Sequence, residues 1–304
     1  MTRLARAAAQ AKINLWLRVG PPDGRGYHDI DTLFQRIDLA DDVEVRALDV
    51  AERSLHWTTE ERRATDLGSV EQNLAYRAGV AFQERAGWPA GFEIRLVKRI
   101  PIGGGLGGGS ADAAAVLRAL NALSPSPLDS RSLHEVAASL GSDVPFLASD
   151  MVRAVGTGRG DRIQPFPDAL PPASLLLVVP SFGVATADAY RWIDEDRAAE
   201  AARPAAGTDA AGEVVFVRAR DPWTIVDRGN DFERPVERRH PVLRKVRESL
   251  RGAGARMARL SGSGSTVFGL FERGVQEPLR DLPDDAIVIP TRTSASVVRV
   301  EVLE

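Results

Sequence analysis

Between residues 103 and 109 the chain reads GGGLGGG, and Ser110 and an alanine-rich run follow at once. Nothing else in the sequence limits the fold so sharply. Glycine tolerates positive φ and lets other atoms approach the backbone, but it loses more entropy on folding than any other residue. A plain connector needs one or two glycines. A loop this rich in glycine that runs into a helix presents unpaired N–H groups, and the helix dipole points the same way. That combination suits an anion, and a polyphosphate above all. The flanks agree: FEIRLV at 92–97 reads as a strand, and a helix is expected from Ser110 to Leu123.

Two familiar phosphate loops do not fit. The P-loop needs a lysine after its last glycine, where this chain has Ser110. The dinucleotide pattern GxGxxG is formally present at Gly103, Gly105 and Gly108. It requires a second strand ending in an acid about twenty residues on. That place holds NALSPSPLDS, a loop whose only acid is Asp129.

The 304 residues, 44% hydrophobic, can bury a sizeable core and suggest two domains or one large one. A net charge of −3 without a basic block makes nucleic acid an unpromising partner. Cysteine is absent, which excludes disulfides, thiol catalysis and cysteine metal sites. The start, MTRLARAAAQ, is too broken by polar residues for a secretory signal. The most apolar run, SLLLVVP at 174–180, is too short to cross a bilayer. A soluble, cytoplasmic protein with no membrane partner is expected. Lysine occurs only at Lys12, Lys98 and Lys245 in an otherwise arginine-based set of cations, so each invites a reason.

Further strands are expected at 12–19, 32–39, 42–47, 175–179, 257–260 and 266–271, and near Ile287 and Val297. Helices are expected from a capping box at Ser69 and Gln72 to Arg85, at 131–140 and at 241–250. Residues 195–213, alanine-rich and polar, read as a mobile insertion. GTGRG at 156–160 reads as a turn near a domain boundary. The mixture without strict alternation favours α+β.

PIGGGLGGGSADAA resembles the phosphate motif of the GHMP superfamily, that of galactokinase, homoserine kinase, mevalonate kinase and phosphomevalonate kinase. The resemblance extends to AKINLWL (11–17), DGRGYH (23–28), DTLFQRIDLADDV (31–43), QNL (72–74), LGSDVPF (140–146), NDFE (230–233) and LSGSGS (260–265). AKIN, GYH and GSDVPF together are similar to the branch whose acceptor is a cytidine-diphosphate-linked methylerythritol. That branch phosphorylates the 2-hydroxyl with ATP and Mg2+, on the non-mevalonate route to isoprenoid precursors. The runner-up is a homoserine- or mevalonate-type member. The resemblance implies a two-domain α+β fold. A ribosomal-protein-like ATP domain would span 1–155 and a ferredoxin-like substrate domain 156–304, with the last strand free to return to the first. A monomer or weak homodimer acting on a small molecule is expected.

The resemblance also assigns residues. Lys12 and Asp143 match the catalytic pair: Asp143 as the base on the acceptor hydroxyl, Lys12 as the charge that supports it. By spacing alone, Asp143 before Val-Pro reads as a helix N-cap. Pro101, Gly103, Gly104, Gly105, Leu106, Gly107, Gly108, Gly109 and Ser110 match the ATP loop, with Ser110 a candidate Mg2+ ligand. Asn73 and Lys98 align near the nucleotide. Asn14 matches a polyol contact and lies on the same face as Lys12 if 12–19 is a strand. Tyr27 and His28 resemble a cytidine site, with Tyr190 a second stacking aromatic and Thr186 a substrate contact. Gly262 and Gly264 match the third motif. Gln10 stands where the family usually has proline, and Ala111 replaces a common serine.

Overall fold

The computed structural model describes residues 3–60, 68–167, 169–201 and 226–303. Its frame is a pair of long antiparallel strands, β1 (Arg3–Pro22) and β2 (His28–Leu48). Asp23 turns the chain between them: its Oδ1 accepts from the backbone N–H groups of Arg25 and Tyr27, as short acidic side chains do in turns. The strands expected at 32–39 and 42–47 are one strand. The break between them is a change of register, since Gln10 faces Ala40 while Lys12 faces Arg36. Such irregularities bend a strand and re-aim its side chains.

Around this pair lies a seven-stranded sheet. β3 (Arg53–Thr59) runs parallel to β4 (Gly91–Lys98), and β4 pairs with β2. The hairpin of β5 (Arg153–Thr157) and β6 (Arg162–Pro165) joins the other part of β2. β11 (Glu301–Leu303) closes on β1. Four helices accompany this sheet: α1 (Leu74–Ala86), α2 (Gly108–Leu123), α3 (Ser130–Leu140) and α4 (Val144–Ala148). α2 is buried almost all round, along Ala111, Ala113, Ala114, Ala115, Val116 and Leu117. Its alanines let it lie close to β1, β2 and α1.

A second, antiparallel sheet has the order β10-β7-β9-β8, from β7 (Ser174–Val179), β8 (Met257–Leu260), β9 (Val267–Phe271) and β10 (Ile287–Arg292). It carries α5 (Thr186–Ala201), α6 (Glu233–Arg239) and α7 (Pro241–Gly252). Leu243, Val246 and Leu250 bury the apolar stripe of α7 with Leu260 and Phe271.

Four sequence expectations change. Ser69 makes no side-chain cap; Asn73 caps α1, accepting from Ala75 N–H. GTGRG is a turn, as expected, but it lies within the β5–β6 hairpin, so the first sheet continues beyond residue 155 to Pro165 and the second begins at Ser174. Residues 195–201 belong to α5, where arginines satisfy the acids: Arg239 bonds Glu195 and Asp196, and Arg234 bonds Glu200. The remainder of that expected insertion, 202–213, lies outside the described residues. The last strand is 301–303 rather than one near Val297.

Candidate active site

Gly107 is the N-cap of α2, with φ 72°, and Gly103 and Gly105 also have positive φ. Packing makes the same demand. A Cβ on Gly105 would lie 2.2 Å from the Ser261 carbonyl oxygen, and one on Gly104 would lie 2.6 Å from Thr266 Oγ1. A Cβ on Gly107 would stand 3.0 Å from Lys12 Cε. The glycine loop is therefore wedged between β1 and the turn joining β8 to β9. Lys12 N–H donates to the Leu106 carbonyl, and Ser261 Oγ donates to that of Gly105. This cradle suits phosphate: side chains are excluded and the first turn of a helix points outward.

Lys12 is buried and its Nζ has three partners. It donates to Asn14 Oδ1 at 2.9 Å and to the Gly105 carbonyl at 3.0 Å, and it lies 3.3 Å from Asp143 Oδ2. Asn14, two residues on and on the same face, donates to Thr32 Oγ1 at 2.7 Å. Thr32 in turn donates to the Trp16 carbonyl. This relay fixes the orientation of the Asn14 amide, and so the acceptor that it offers to Lys12.

Asp143 stands at the N-terminus of α4, yet its side chain makes no cap bond. Its own φ and ψ, −82° and −19°, are already helical, and a capping residue has extended backbone. The carboxylate is left for Lys12. Its side chain is 28% exposed, against 5% for Lys12, so the acid is open to the cavity while the cation stays beneath it.

These groups open on a cavity of about 370 Å³ lined by Lys12, Asn14, Ser110, Asp143, Tyr190 and Gly262, among others. Hollows of about 520 and 660 Å³ lie against β1, β2 and β4 and beside α7. Neither touches the glycine cradle or Asp143, so chemistry rather than size selects the site.

The aromatic residues surround one end of the cavity without forming a single clamp. Tyr190 stacks on His28 at 4.9 Å and 23°, and meets the edge of Phe232. His28 Nε2 is 2.9 Å from Asp194 Oδ1. Tyr27 is exposed, and the Arg159 guanidinium lies 3.8 Å from its ring centroid. Arg159 and Tyr190 line the cavity; Tyr27 and His28 stand behind them. Burial, and then the negative charge of Asp143, push the Tyr190 hydroxyl up to about 12, so it remains a neutral phenol at physiological pH. Thr186 Oγ1 lies 3.2 Å from Ser263 Oγ, where α5 meets the β8–β9 turn.

Lys98 and Asn73 both have partners within the protein. Asn73 caps α1. Lys98 is buried between Asp41 and Asp112 and bonded to both. Asp41 also accepts from the N–H groups of Arg99 and Ile100. The cluster ties the end of β4 to α2 just beyond its first turn and so braces the glycine loop from below. Burial pushes Asp112 up to about 8, against the pull of Lys98, and its Oδ1 has no partner.

Sequence reasoning assigned no individual role to Thr32, Arg159 or Asn230, and within the third motif, Ser261 to Ser265, it singled out the glycines rather than Ser261 and Ser263. Asn230 Nδ2 donates to the Leu260 and Gly262 carbonyls, each at 2.8 Å. Asp231 accepts from the Val19 N–H, and the Asp231 N–H donates to the Leu17 carbonyl. NDFE thus laces β1 to the third glycine turn. Its match to the superfamily marked the segment, but only the fold reveals what it joins.

The family described as GHMP kinases N terminal domain matches residues 73–150, and GHMP kinases C terminal matches 224–282. The chain is 41% identical over 268 residues to the 4-diphosphocytidyl-2-C-methyl-D-erythritol kinase of Anaeromyxobacter sp., covering 86% of this chain and 79% of that one. It is 38% identical over 295 residues to the enzyme of that name from Pelotomaculum thermopropionicum, covering 94% and 97%. A crystal structure of 4-(cytidine 5'-diphospho)-2C-methyl-D-erythritol kinase superposes with a TM-score of 0.67 at 35% identity, over 95% of this chain and 100% of that one. Homoserine kinase from Cytophaga hutchinsonii, at 17% identity and a TM-score of 0.60 over 99% and 97% of the two chains, shares the fold.

Proposed function

The chain belongs to the 4-diphosphocytidyl-2-C-methyl-D-erythritol kinases of the GHMP kinase family, and we infer from this how its site carries out ATP-dependent phosphorylation of that alcohol in isoprenoid precursor synthesis. The observation that carries the reading is the Lys12–Asp143 pair, 3.3 Å apart at the mouth of the glycine cradle. Phosphoryl transfer asks a protein mainly for positioning and charge neutralisation, and both are provided there.

The phosphates of ATP rest on the glycine loop and the N-terminus of α2. The cytidine end of the acceptor lies towards Tyr190 and Arg159, with Tyr27 and His28 behind. The nucleotide then sits on the part built around the first sheet and the acceptor against the helices of the second. The 2-hydroxyl points at Asp143. As oxygen attacks the γ-phosphorus, its proton passes to the Asp143 carboxylate, the bond from the γ-phosphorus to the bridging oxygen breaks, and ADP leaves. Lys12 presents its positive charge to the carboxylate and to the transferring group. Asn14 and the Gly105 carbonyl hold its ammonium in place.

Among the described residues no cluster of three or more acidic, histidine or cysteine side chains could hold a metal. That suits Mg2+ brought in on ATP, which takes one or two protein ligands and keeps its phosphate and water ligands. The Ser110 hydroxyl would supply one; it lies in the first turn of α2 and on the cavity wall. Bound there, Mg2+ would neutralise phosphate charge. We take the working unit to be a monomer or weak homodimer.

The test is ADP release with ATP, Mg2+ and the cytidine substrate, with mevalonate and homoserine in parallel and the product weighed by mass spectrometry. Turnover of the cytidine substrate alone, with a gain of one phosphoryl mass at the 2-hydroxyl, is expected. Turnover of another alcohol in its place would overturn the assignment.

A further inference from the structure

Arg36 is a buried cation for which the chemistry above has no use. It lies on β2 directly opposite Lys12 on β1 and is 1% exposed. Its guanidinium reaches no carboxylate among the ion pairs of the described residues. It is spent on carbonyl groups instead. Nη2 donates to Phe146, Leu147 and Ser149 at 2.8–2.9 Å, and Nε donates to Met151 at 2.9 Å. The Arg36 N–H donates to the Val152 carbonyl. Burial pulls the guanidinium down to about 9, which leaves it charged at neutral pH.

The acceptors belong to one small element. Phe146 and Leu147 lie in α4, and Ser149 and Met151 follow it. The last carbonyls of a helix lack intrahelical partners and carry the negative end of the dipole. A cation there is a natural cap, and the planar fork of arginine reaches several acceptors at once. The guanidinium also lies 5.0 Å from the Phe146 ring centroid, and Phe146 stacks on Phe34 of β2 at 5.0 Å and 13°. Both contacts pin α4 to β2. α4 is only five residues long, and Asp143 stands at its other end.

We propose that Arg36 is the positioning residue of Asp143: by clamping the C-terminal end of α4 to the strand position paired with Lys12, it sets the separation between the acid and the ammonium. Lys12 and the clamp share one register of the β1–β2 pair, so α4 acts as a short rod that spans from that register to the carboxylate. A buried arginine whose hydrogen bonds all go to carbonyls, with Asp150 nearby as the charge that favours it and Arg118 opposing, is a costly way to fill space, because losing it leaves those acceptors unpaired. A precise distance at the other end of the rod gives it a use. Small displacements of a catalytic group lower rates sharply.

The inference rests on Asp143 as the base, so the experiment is a cycle. Arg36→Lys keeps the charge but replaces the fork by a single donor centre. It is compared with wild type, with Asp143→Asn and with the double variant, measuring kcat and both KM values. Asp143→Asn alone decides the reading of the base: if it turns over at the wild-type rate, both claims fall. If it is slow, the cycle decides the clamp. Arg36→Lys should lower kcat about tenfold or more with both KM values within about twofold, and should change the rate of Asp143→Asn by less than about twofold. A loss of equal factor in both backgrounds, or a change confined to KM, would overturn the clamp. Arg36→Ala, assayed with low millimolar guanidinium, guards against a folding defect: recovery of kcat at constant KM supports the proposal. Failure of guanidinium to restore kcat in folded protein contradicts it.

Discussion

Lys12 Nζ and Asp143 Oδ2 lie 3.3 Å apart, although the two residues arrive from different elements and different depths. Lys12 is held from below by a strand bonded to the glycine loop, and Asp143 rides on a short helix packed against the neighbouring strand. Gly107 lies between them with a positive φ, and a Cβ there would stand 3.0 Å from Lys12 Cε and 3.4 Å from Asp143 Oδ2.

The space around Lys12 limits what can replace it. Its Cε would lie 3.0 Å from a Cβ on Gly107, and its Nζ already serves three acceptors. Lys12→Arg introduces a planar fork where a point charge fits. It should lower kcat by about 10²-fold or more. Steady-state kinetics on protein with a native circular dichroism spectrum checks this, and an unchanged kcat would remove Lys12 from the chemistry.

Gly105→Ala combines a positive φ with a contact 2.2 Å from the Ser261 carbonyl. The backbone strain alone costs about 1–2 kcal/mol, and the clash pushes the third motif away from Lys12. Stability in urea and ATP affinity should both fall. Gly24→Ala, where the added carbon meets nothing within 4 Å, should stay within about 0.5 kcal/mol of wild type. Equal behaviour of the two variants would contradict the wedge described for the loop.

Tyr27 touches Arg159 rather than the cradle. Tyr27→Ala should therefore raise KM for the cytidine substrate about tenfold while KM for ATP changes little. Equal effects on both constants would show that Tyr27 supports the fold instead of the acceptor.

Asp112 supplies a pH signature. Its native pKa, about 8, lies above the ordinary value of 3.8. Between those values the native state holds a proton that the unfolded chain has released, so this group's contribution to stability falls as pH rises through that window. Asp112→Asn removes the slope. The stability advantage of wild type over Asp112→Asn should shrink from pH 5 to pH 8. A difference that is constant over that range in chemical denaturation would show that Asp112 is ionised throughout.

The sequence located α2 well because the glycine run marks its start, although it is buried almost all round, and α7 because its apolar stripe lies between Pro241 and Gly252. The start of β1 was missed because residues 5–11 are mostly alanine, a poor strand former, even though burial alternates from Arg3 to Ala8. β3 and the β5–β6 hairpin depend on pairing with β4 and β2, and no local signal states that. At the site, the glycine run pointed to an anion cradle on physical grounds alone, and the structure shows a loop of positive φ running into a helix N-terminus. Lys12 and Asp143 needed the family resemblance, because a lysine on a strand and an aspartate before Val-Pro each have an ordinary structural use. Lys98 shows the limit of reading single residues: its isolation among arginines was a sound cue, but its partners Asp41 and Asp112 come from β2 and α2 and meet it only in the fold. Arg36 was silent, since an arginine in a strand carries no hint that four carbonyls await it.

The central claim is that Asp143 takes the proton of the acceptor hydroxyl. The most direct measurement is single-turnover phosphoryl transfer by Asp143→Asn, with enzyme in excess over the cytidine substrate and ATP saturating. The rate of the chemical step should fall by about 10²–10⁴-fold while ATP affinity stays close to wild type. Transfer at the wild-type rate would show that another group, or none, removes the proton, and would contradict the mechanism.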